Sequence, residues 1–302
     1  MRTIHWVLTA TLGLMLTGCA SLHTAPAPEV RQALAPSGKL RVGLWLDNPA
    51  QVIRDSVSGE MKGVGFDLGN ELARRMGVPF EPVLYPSMGP LLDGAKSGAW
   101  DVVFIGVDPQ RATYMDYTAP HLEVDFGYLI PAGSSISTMA DVDRPGIRVA
   151  VPERGSADIF LSRTLKNAVV VRGPGLSGAL ELLKSGKADV FGANKPNLFE
   201  VLKQLPGSRL LDGRPGSEQQ AMAMPKGRGP GVAYAREFVE DAKSEGLVKA
   251  AIERVGLRGT VVAPLERRSL AAASTAPPAK RARVKSGVRP PTFPAGIAAA
   301  GR

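Results

Sequence analysis

"KSGAWDVVFIG", residues 96–106, is echoed by "KSGKADVFGAN", residues 184–194, and the two share K-S-G-x-x-D-V at a fixed offset of 88 residues. So short a match gains weight only if its surroundings repeat as well. They do. Each segment follows an apolar helical pattern: Leu91, Leu92 and Ala95 before the first, and Leu176, Ala179, Leu180 and Leu183 before the second. Gly98 and Gly186 then suit a residue that leaves a helix with positive φ. Upstream, "LRVGL" from Leu40 and "IRVAV" from Ile147 are β-branched runs bounded by Gly or Pro turn signals. The pattern predicts an α/β chain of two related lobes, each a mostly parallel sheet covered by helices on both faces.

The remaining periodic segments fit this scheme. "FDLGNELARRMG" sets Phe66, Leu68, Leu72, Ala73 and Met76 largely on one helical face, with Asp67 in the first turn and Gly77 as the stop. "AYAREFVEDAKSEGLVKAAIERVG" reads as two short amphipathic helices broken at Gly246. Ligands of open α/β sheets lie beyond the carboxyl ends of the strands. Here those ends are Gly106 and Asn194, equivalent positions under the repeat, and two such edges facing each other would form a cleft.

The chain ends read differently. "MRTIHWVLTATLGLMLTGCAS" has Arg2, an apolar run too short to span a membrane, and small residues before Cys19. That is the layout of a secretory signal. Leu16-Thr17-Gly18-Cys19 also resembles the lipobox of bacterial lipoproteins, so residues 1–19 are expected to be the signal, with Cys19 lipidated. As the one cysteine of the chain, Cys19 has no internal disulfide partner. Residues 20–37 read as a linker. Residues 265–302, rich in Ala, Pro and basic side chains, read as a disordered tail. Setting aside Arg2 and the eight basic residues from Arg267 onward leaves 28 Lys and Arg against all 28 acids. The basic pI therefore belongs to the tail, and a neutral body gives no support to nucleic-acid binding. His5, His23 and His121 are scattered, so no metal constellation is expected, and the absence of a G-x-x-x-x-G-K-[ST] loop argues against nucleotide hydrolysis. No cofactor is expected.

"GKLRVGL", "GEMKGVGFDLGNELARRMGV", "LLDGAKSGAWDVVFIGVDPQRATYMDYTAPH", "VAVPERGS", "LKSGKADVF" and "AMAMPKG" occur in an order and spacing that resembles the family 3 extracellular solute-binding proteins. These are the amino-acid-type receptors of ABC importers, with a two-lobed type 2 periplasmic-binding-protein fold. The resemblance spans residues 37–257 and implies a first lobe of residues 38–124 plus 223–264 around a second lobe of residues 125–222. The chain would cross near residues 123–128 and 218–224. The implied partners are a small carboxylate ligand held between the lobes, the membrane permease of an ABC importer, and a membrane reached through the lipid on Cys19.

By the same resemblance Arg111, closing the turn Asp108-Pro109-Gln110-Arg111, grips the ligand carboxylate, a task suited to a planar guanidinium. Its structural alternative is an ion pair with Asp116 or Asp108. Ser156 and Ala157, in "RGSA", correspond to a second-lobe loop that completes the carboxylate site, and Trp45 and Phe66 would cover apolar ligand surface or serve as core. Three positions depart from the family pattern. Gly106 replaces a small hydroxyl residue and offers only backbone; Asn194 and Trp45 stand where acids are common. An amide cannot neutralise a buried ammonium, so these departures favour a carboxylate without a free ammonium group. Asp108 would restore a negative charge if it faced the cleft, but a cap on the following turn is the favoured reading. An enzyme on the same fold, of the cyclohexadienyl dehydratase type, would need a cleft acid, for which Glu153 is the candidate. A third possibility is an envelope-interaction lipoprotein that works through its basic tail.

Overall fold

In the computed structural model, which describes residues 25–46, 48–55 and 57–266, strands and helices alternate as the repeat predicts. The signal, Cys19 and the basic tail from Arg267 lie outside the described residues. The chain runs through α1 (Pro28–Leu34), β1 (Leu40–Trp45), a small hairpin of β2 (Ile53–Arg54) and β3 (Met61–Lys62), α2 (Val64–Met76), β4 (Phe80–Tyr85), α3 (Met88–Ser97) and β5 (Val102–Gly106). A single 3-10 turn, Arg111–Thr113, leads into the long β6 (Met115–Ile130). The second lobe holds α4 (Met139–Val142), β7 (Arg148–Pro152), α5 (Ser156–Thr164), β8 (Val169–Gly173), α6 (Gly175–Lys184), β9 (Val190–Asn194), α7 (Lys195–Leu202) and β10 (Arg209–Leu210). β11 (Ser217–Pro225), α8 (Gly229–Ser244), α9 (Leu247–Val255) and β12 (Thr260–Val262) return to the first lobe.

The strands are ordered β4-β1-β5-β11-β6-β9-β7-β8. β1 lies parallel to β4 and β5, and β7 lies parallel to β8 and β9. Both triplets are reached by helical crossovers. The join is β6. It pairs antiparallel with β11 as far as Asp125 opposite Ser217, and from Phe126 opposite Asn194 it pairs with β9 instead. One continuous strand therefore belongs to both lobes. β12 adds to it at Leu122, Glu123 and Val124.

The K-S-G-x-x-D-V repeat has a physical counterpart. Asp101 accepts from the backbone amide, Nε and Nη2 of Arg41 at 3.0, 3.0 and 2.9 Å. Asp189 accepts from the same three groups of Arg148 at 2.8, 3.0 and 2.8 Å. Each aspartate ties the start of one parallel strand to the start of its neighbour, setting the register Val42 to Val102 in one lobe and Val149 to Val190 in the other. Bidentate, charge-assisted bonds of this kind hold geometry well. The glycines that end the two helices adopt the expected positive φ, Gly98 at 65° as the C-cap of α3 and Gly186 at 68° one residue beyond the C-cap of α6.

One segment differs from the sequence-based expectation. Part of the expected linker, residues 20–37, is helical: α1 begins with Pro at its first position, where the fixed φ suits a helix start. Its Leu34 is fully buried in the first-lobe core, and Arg228 Nη1 donates to Ala33 O at 2.6 Å. Apolar contact with α8 thus orders what composition alone suggests is loose. At the second crossing, β11 runs beside β6 from Ser217 opposite Asp125, and Gln220, Ala221, Met222 and Ala223 pair with β5.

Candidate functional site

The carboxyl ends of β5 and β9 face one another across the join of the lobes, and the side chains there are polar and buried. Asp108, Arg111, Asn194, Glu218 and Gln220 are all at most 8% exposed. Asp108 caps the turn after β5, its Oδ1 accepting from the amides of Gln110 at 2.9 Å and Arg111 at 3.1 Å. The cap fixes where Arg111 emerges.

From there the Arg111 guanidinium spans the cleft. Nη1 donates to Gly106 O at 3.1 Å in the first lobe, and Nη2 donates to Arg154 O at 2.7 Å in the second. The alternative ion pairs with Asp116 or Asp108 are not formed, and Arg111 has no carboxylate partner among the described residues. Tyr117 Oη also reaches Gly106 O, at 3.4 Å. Burial raises that phenol to about 12, so it stays a neutral donor.

The second lobe meets this surface through the loop before α5. Arg154 is the one non-glycine residue with positive φ among the described residues, at 60°, a conformation that stores backbone strain of about 1–3 kcal/mol. Asp158 Oδ2 holds its amide at 2.9 Å, while its guanidinium reaches across to Asp93 at 3.2 Å. Arg163 Nη2 makes a second bridge between lobes, to Asp108 Oδ2 at 3.3 Å. Asp108 therefore both caps its turn and faces the cleft, but Arg163 meets its charge. Two cavities flank this bridge. One, of about 380 Å³, is lined by Arg111, Tyr114, Arg154 and Arg172; the other, of about 400 Å³, is lined by Ser156, Glu218 and the stacked rings of Phe126 and Phe160, 4.9 Å apart.

Gly106 is a point of close approach between the lobes. A Cβ at this position would lie 2.3 Å from Ser156 Oγ and 2.4 Å from Glu218 Oε2, so the absent side chain is what lets Ser156 of the second lobe and Glu218 of β11 approach. Ala157 is buried behind Ser156. Asn194 caps α7, its Oδ1 accepting from Asn197 N at 3.3 Å, and its Nδ2 donates to Glu218 Oε1 at 3.2 Å. Gln220 Nε2 donates to the same oxygen at 2.9 Å.

Of the aromatic residues, Trp45 ends β1, its amide held by Gln51 Oε1 at 2.8 Å. Its ring is buried in a cluster with Met88, Leu91 and Trp100, against which Leu176 of the second lobe packs. Phe66 is not in the cleft. It sits in the first turn of α2, edge-on to Phe80 at 5.1 Å, because the apolar face that carries it turns towards β4 and α9. Glu153 is exposed on the turn after β7, outside the buried cluster.

Glu218 is the residue that sequence reading passes over. It places a carboxyl group within hydrogen-bonding distance of the Asn194 amide. Its signal lies in register: Gln220 pairs with Gly106, and residues two apart on a strand share a face.

The matched relatives agree with this architecture. Residues 40–256 match the model of the bacterial extracellular solute-binding proteins, family 3. The chain belongs to that family. A glutamine-binding protein of Geobacillus stearothermophilus is 20% identical over 200 residues, covering 65% of this chain and 76% of its own length. Among solved structures, the solute receptor for L-cysteine of Neisseria gonorrhoeae superposes with a TM-score of 0.67 at 20% identity, over 79% of this chain and 100% of the receptor. A mutant of ArgBP from T. maritima gives 0.66 at 23% identity, over 76% and 99%. An ancestral amino acid-binding protein, a precursor of cyclohexadienyl dehydratase, gives 0.61 at 21% identity, over 72% and 96%. The fold of this solute-binding protein is thus the two-lobed type 2 periplasmic-binding-protein fold. No helix among its described residues is long and apolar enough to cross a membrane.

Proposed function

We propose that this chain is a lipid-anchored extracytoplasmic receptor that captures a small carboxylate, an amino acid or a related organic acid, and delivers it to the membrane permease of an ABC importer. The observation that carries the reading is Arg111: a residue 3% exposed, in the turn after β5, whose guanidinium donates to a carbonyl from each lobe and to no carboxylate among the described residues. A buried cation held only by neutral acceptors is electrostatically incomplete, and a bidentate carboxylate is the anion its fork fits best. A ligand there also touches both lobes, so binding energy is coupled to their closure. The strained Arg154, the two bridges between lobes and β6 running continuously between them suit a domain that opens and closes.

Family membership and the matched binding proteins support a receptor over an enzyme, and Glu153, the acid considered for dehydratase chemistry, lies outside the cleft. Thermal-shift screening of the purified chain against amino acids, 2-oxo acids, 2-hydroxy acids and aromatic acids tests the reading. Stabilisation by one class without turnover is expected, and consumption of the stabilising compound would return the enzyme reading. Anchoring is tested by Cys19→Ser with fatty-acid labelling: label is expected on wild type and lost in the variant.

A further inference from the structure

The backbone joins the two lobes along one edge of β6 but not along the other. On the first edge the chain runs unbroken from β10, paired with Leu129 and Ile130, into β11, paired with β6 as far as Asp125. On the second edge β12 of the first lobe covers Leu122 to Val124, and β9 of the second lobe covers Phe126 to Leu129. These two strands meet end to end with no backbone between them. Side chains fill the break. The Arg258 guanidinium lies 3.5 Å from the centroid of the Phe199 ring. Gly259, at φ 71°, has its carbonyl accepting from the Asp125 amide at 2.8 Å. It also leaves room for Lys195, which a Cβ on Gly259 would meet at 2.6 Å and whose Nζ reaches Asp125 Oδ2 at 3.1 Å. Each partner of the stacked pair is fastened to its own lobe. Leu257 and Val262, on either side of Arg258, pack on the first-lobe core; Leu198 and Val201, on either side of Phe199, lie in the second-lobe core.

We infer that Arg258 is a positioning residue for lobe closure: stacked on Phe199, it makes a third, non-covalent crossing at the hinge that favours the arrangement in which the lobes meet. The change of lobe along β6 falls at Asp125 and Phe126, where β11 and β12 give way to β9. Rotation there moves Phe199 relative to Arg258, because the two ride on different lobes. A cation–π contact is lost once the cation leaves the ring face or moves beyond about 6 Å from its centroid. Arg258 forms no ion pair among the described residues, so no carboxylate there holds it in place of the ring. Arg75 over Phe238, at 5.2 Å, lies within the first lobe and would not sense the motion. Arg258 lines neither cavity of the cleft. It would therefore set affinity through the population of the closed form and not through contact with a ligand. Such a brace works whatever the cleft binds.

The test is small-angle scattering on the ligand-free full chain, fitted as a mixture of the closed arrangement and an opened one. Arg258→Ala is expected to raise the open-to-closed ratio by about two- to fivefold, the effect of losing a partly exposed cation–π contact, with a larger radius of gyration. Phe199→Leu keeps an apolar side chain but removes the ring face, and should do the same. The double variant should open no further than either single one, as for two halves of one contact. Arg258→Lys keeps the charge without the planar group that stacks, and should fall between wild type and Arg258→Ala. Thermal melting checks that each variant is folded. A contact that served stability alone would lower the melting temperature without changing the radius of gyration of the folded chain. Should Arg258→Ala fail to fold, Phe199→Leu and Arg258→Lys carry the same comparison. An unchanged open-to-closed ratio, a shift towards the closed form, or independent effects of the two single substitutions overturns the inference. Arg111 is untouched in every variant, so none of these results bears on the receptor reading.

Discussion

The two lobes begin alike and end differently. Each ties its parallel strands together with one Arg–Asp bracket at the amino ends, and each sends the K-S-G-x-x-D-V strand towards the cleft. At the carboxyl ends the symmetry is gone: β5 stops at Gly106, which offers a carbonyl and room, and β9 stops at Asn194, which caps a helix and holds Glu218. Repetition has been kept where the strands must be registered and lost where a ligand would be recognised. The brackets themselves also differ in depth. Asp101 is fully buried and accepts a further bond from Arg228 at 3.1 Å, whereas the Asp189 side chain is 32% exposed.

That contrast can be broken by mutation. Asp101→Ala leaves Arg41 and Arg228 without their buried partner and is expected to destabilise the chain by about 3–5 kcal/mol, read from denaturant unfolding. Arg111→Ala should weaken carboxylate binding by about 2–5 kcal/mol with little change in far-UV dichroism; unchanged affinity in calorimetry would make Arg111 a purely structural bridge. Gly106→Ala puts a methyl group against Ser156 Oγ and Glu218 Oε2, one from each side of the cleft. It should hold the lobes apart at a cost of about 1–3 kcal/mol, seen as a larger radius of gyration by small-angle scattering and weaker ligand binding.

Acid should sharpen the comparison further. His121 of β6 is fully buried against Phe104, their rings 5.4 Å apart, and burial, aided by Lys243, lowers its pKa to about 3. In the unfolded chain its value is near 6.5. Between those values the unfolded state binds the proton and the native state does not. The stability contributed by keeping His121 neutral is therefore complete above about pH 6.5 and is lost as pH falls towards 3, by on the order of 1 kcal/mol per unit. Hydrogen exchange at about pH 5 should show the first lobe opening before the second, and His121→Phe should remove most of that difference. Asp189→Ala is the smallest effect expected, about 1 kcal/mol or less, because a half-exposed pair is screened by water. If it costs as much as Asp101→Ala, the two brackets are energetically equivalent and the contrast in depth has no consequence.

Much of this was legible in the sequence because it is local. A 3.6-residue apolar period, a glycine at a helix end and a β-branched run each act through neighbours a few residues away, and the internal repeat extends those signals to a second lobe. The turn at Asp108 was legible for the same reason, since the cap and the amides it serves are three residues apart or fewer. Phe66 was not, because a helical face says that a residue is buried and not what it is buried against. The α1 helix was missed for want of length: seven residues carry little pattern, and it is contact with α8 that holds them. Local pattern and the repeat are enough for two related α/β lobes, for strand ends at Gly106 and Asn194, and for an arginine just past the first of them. Which polar groups meet there is settled by long-range packing. The antiparallel register of β11 on β5 sets Gln220 opposite Gly106, and packing of the second lobe brings Asn194 to Glu218 and Ser156 to Gly106. These pairings join residues far apart along the chain, so no local period encodes them; they are fixed by how the strands register and the lobes pack together.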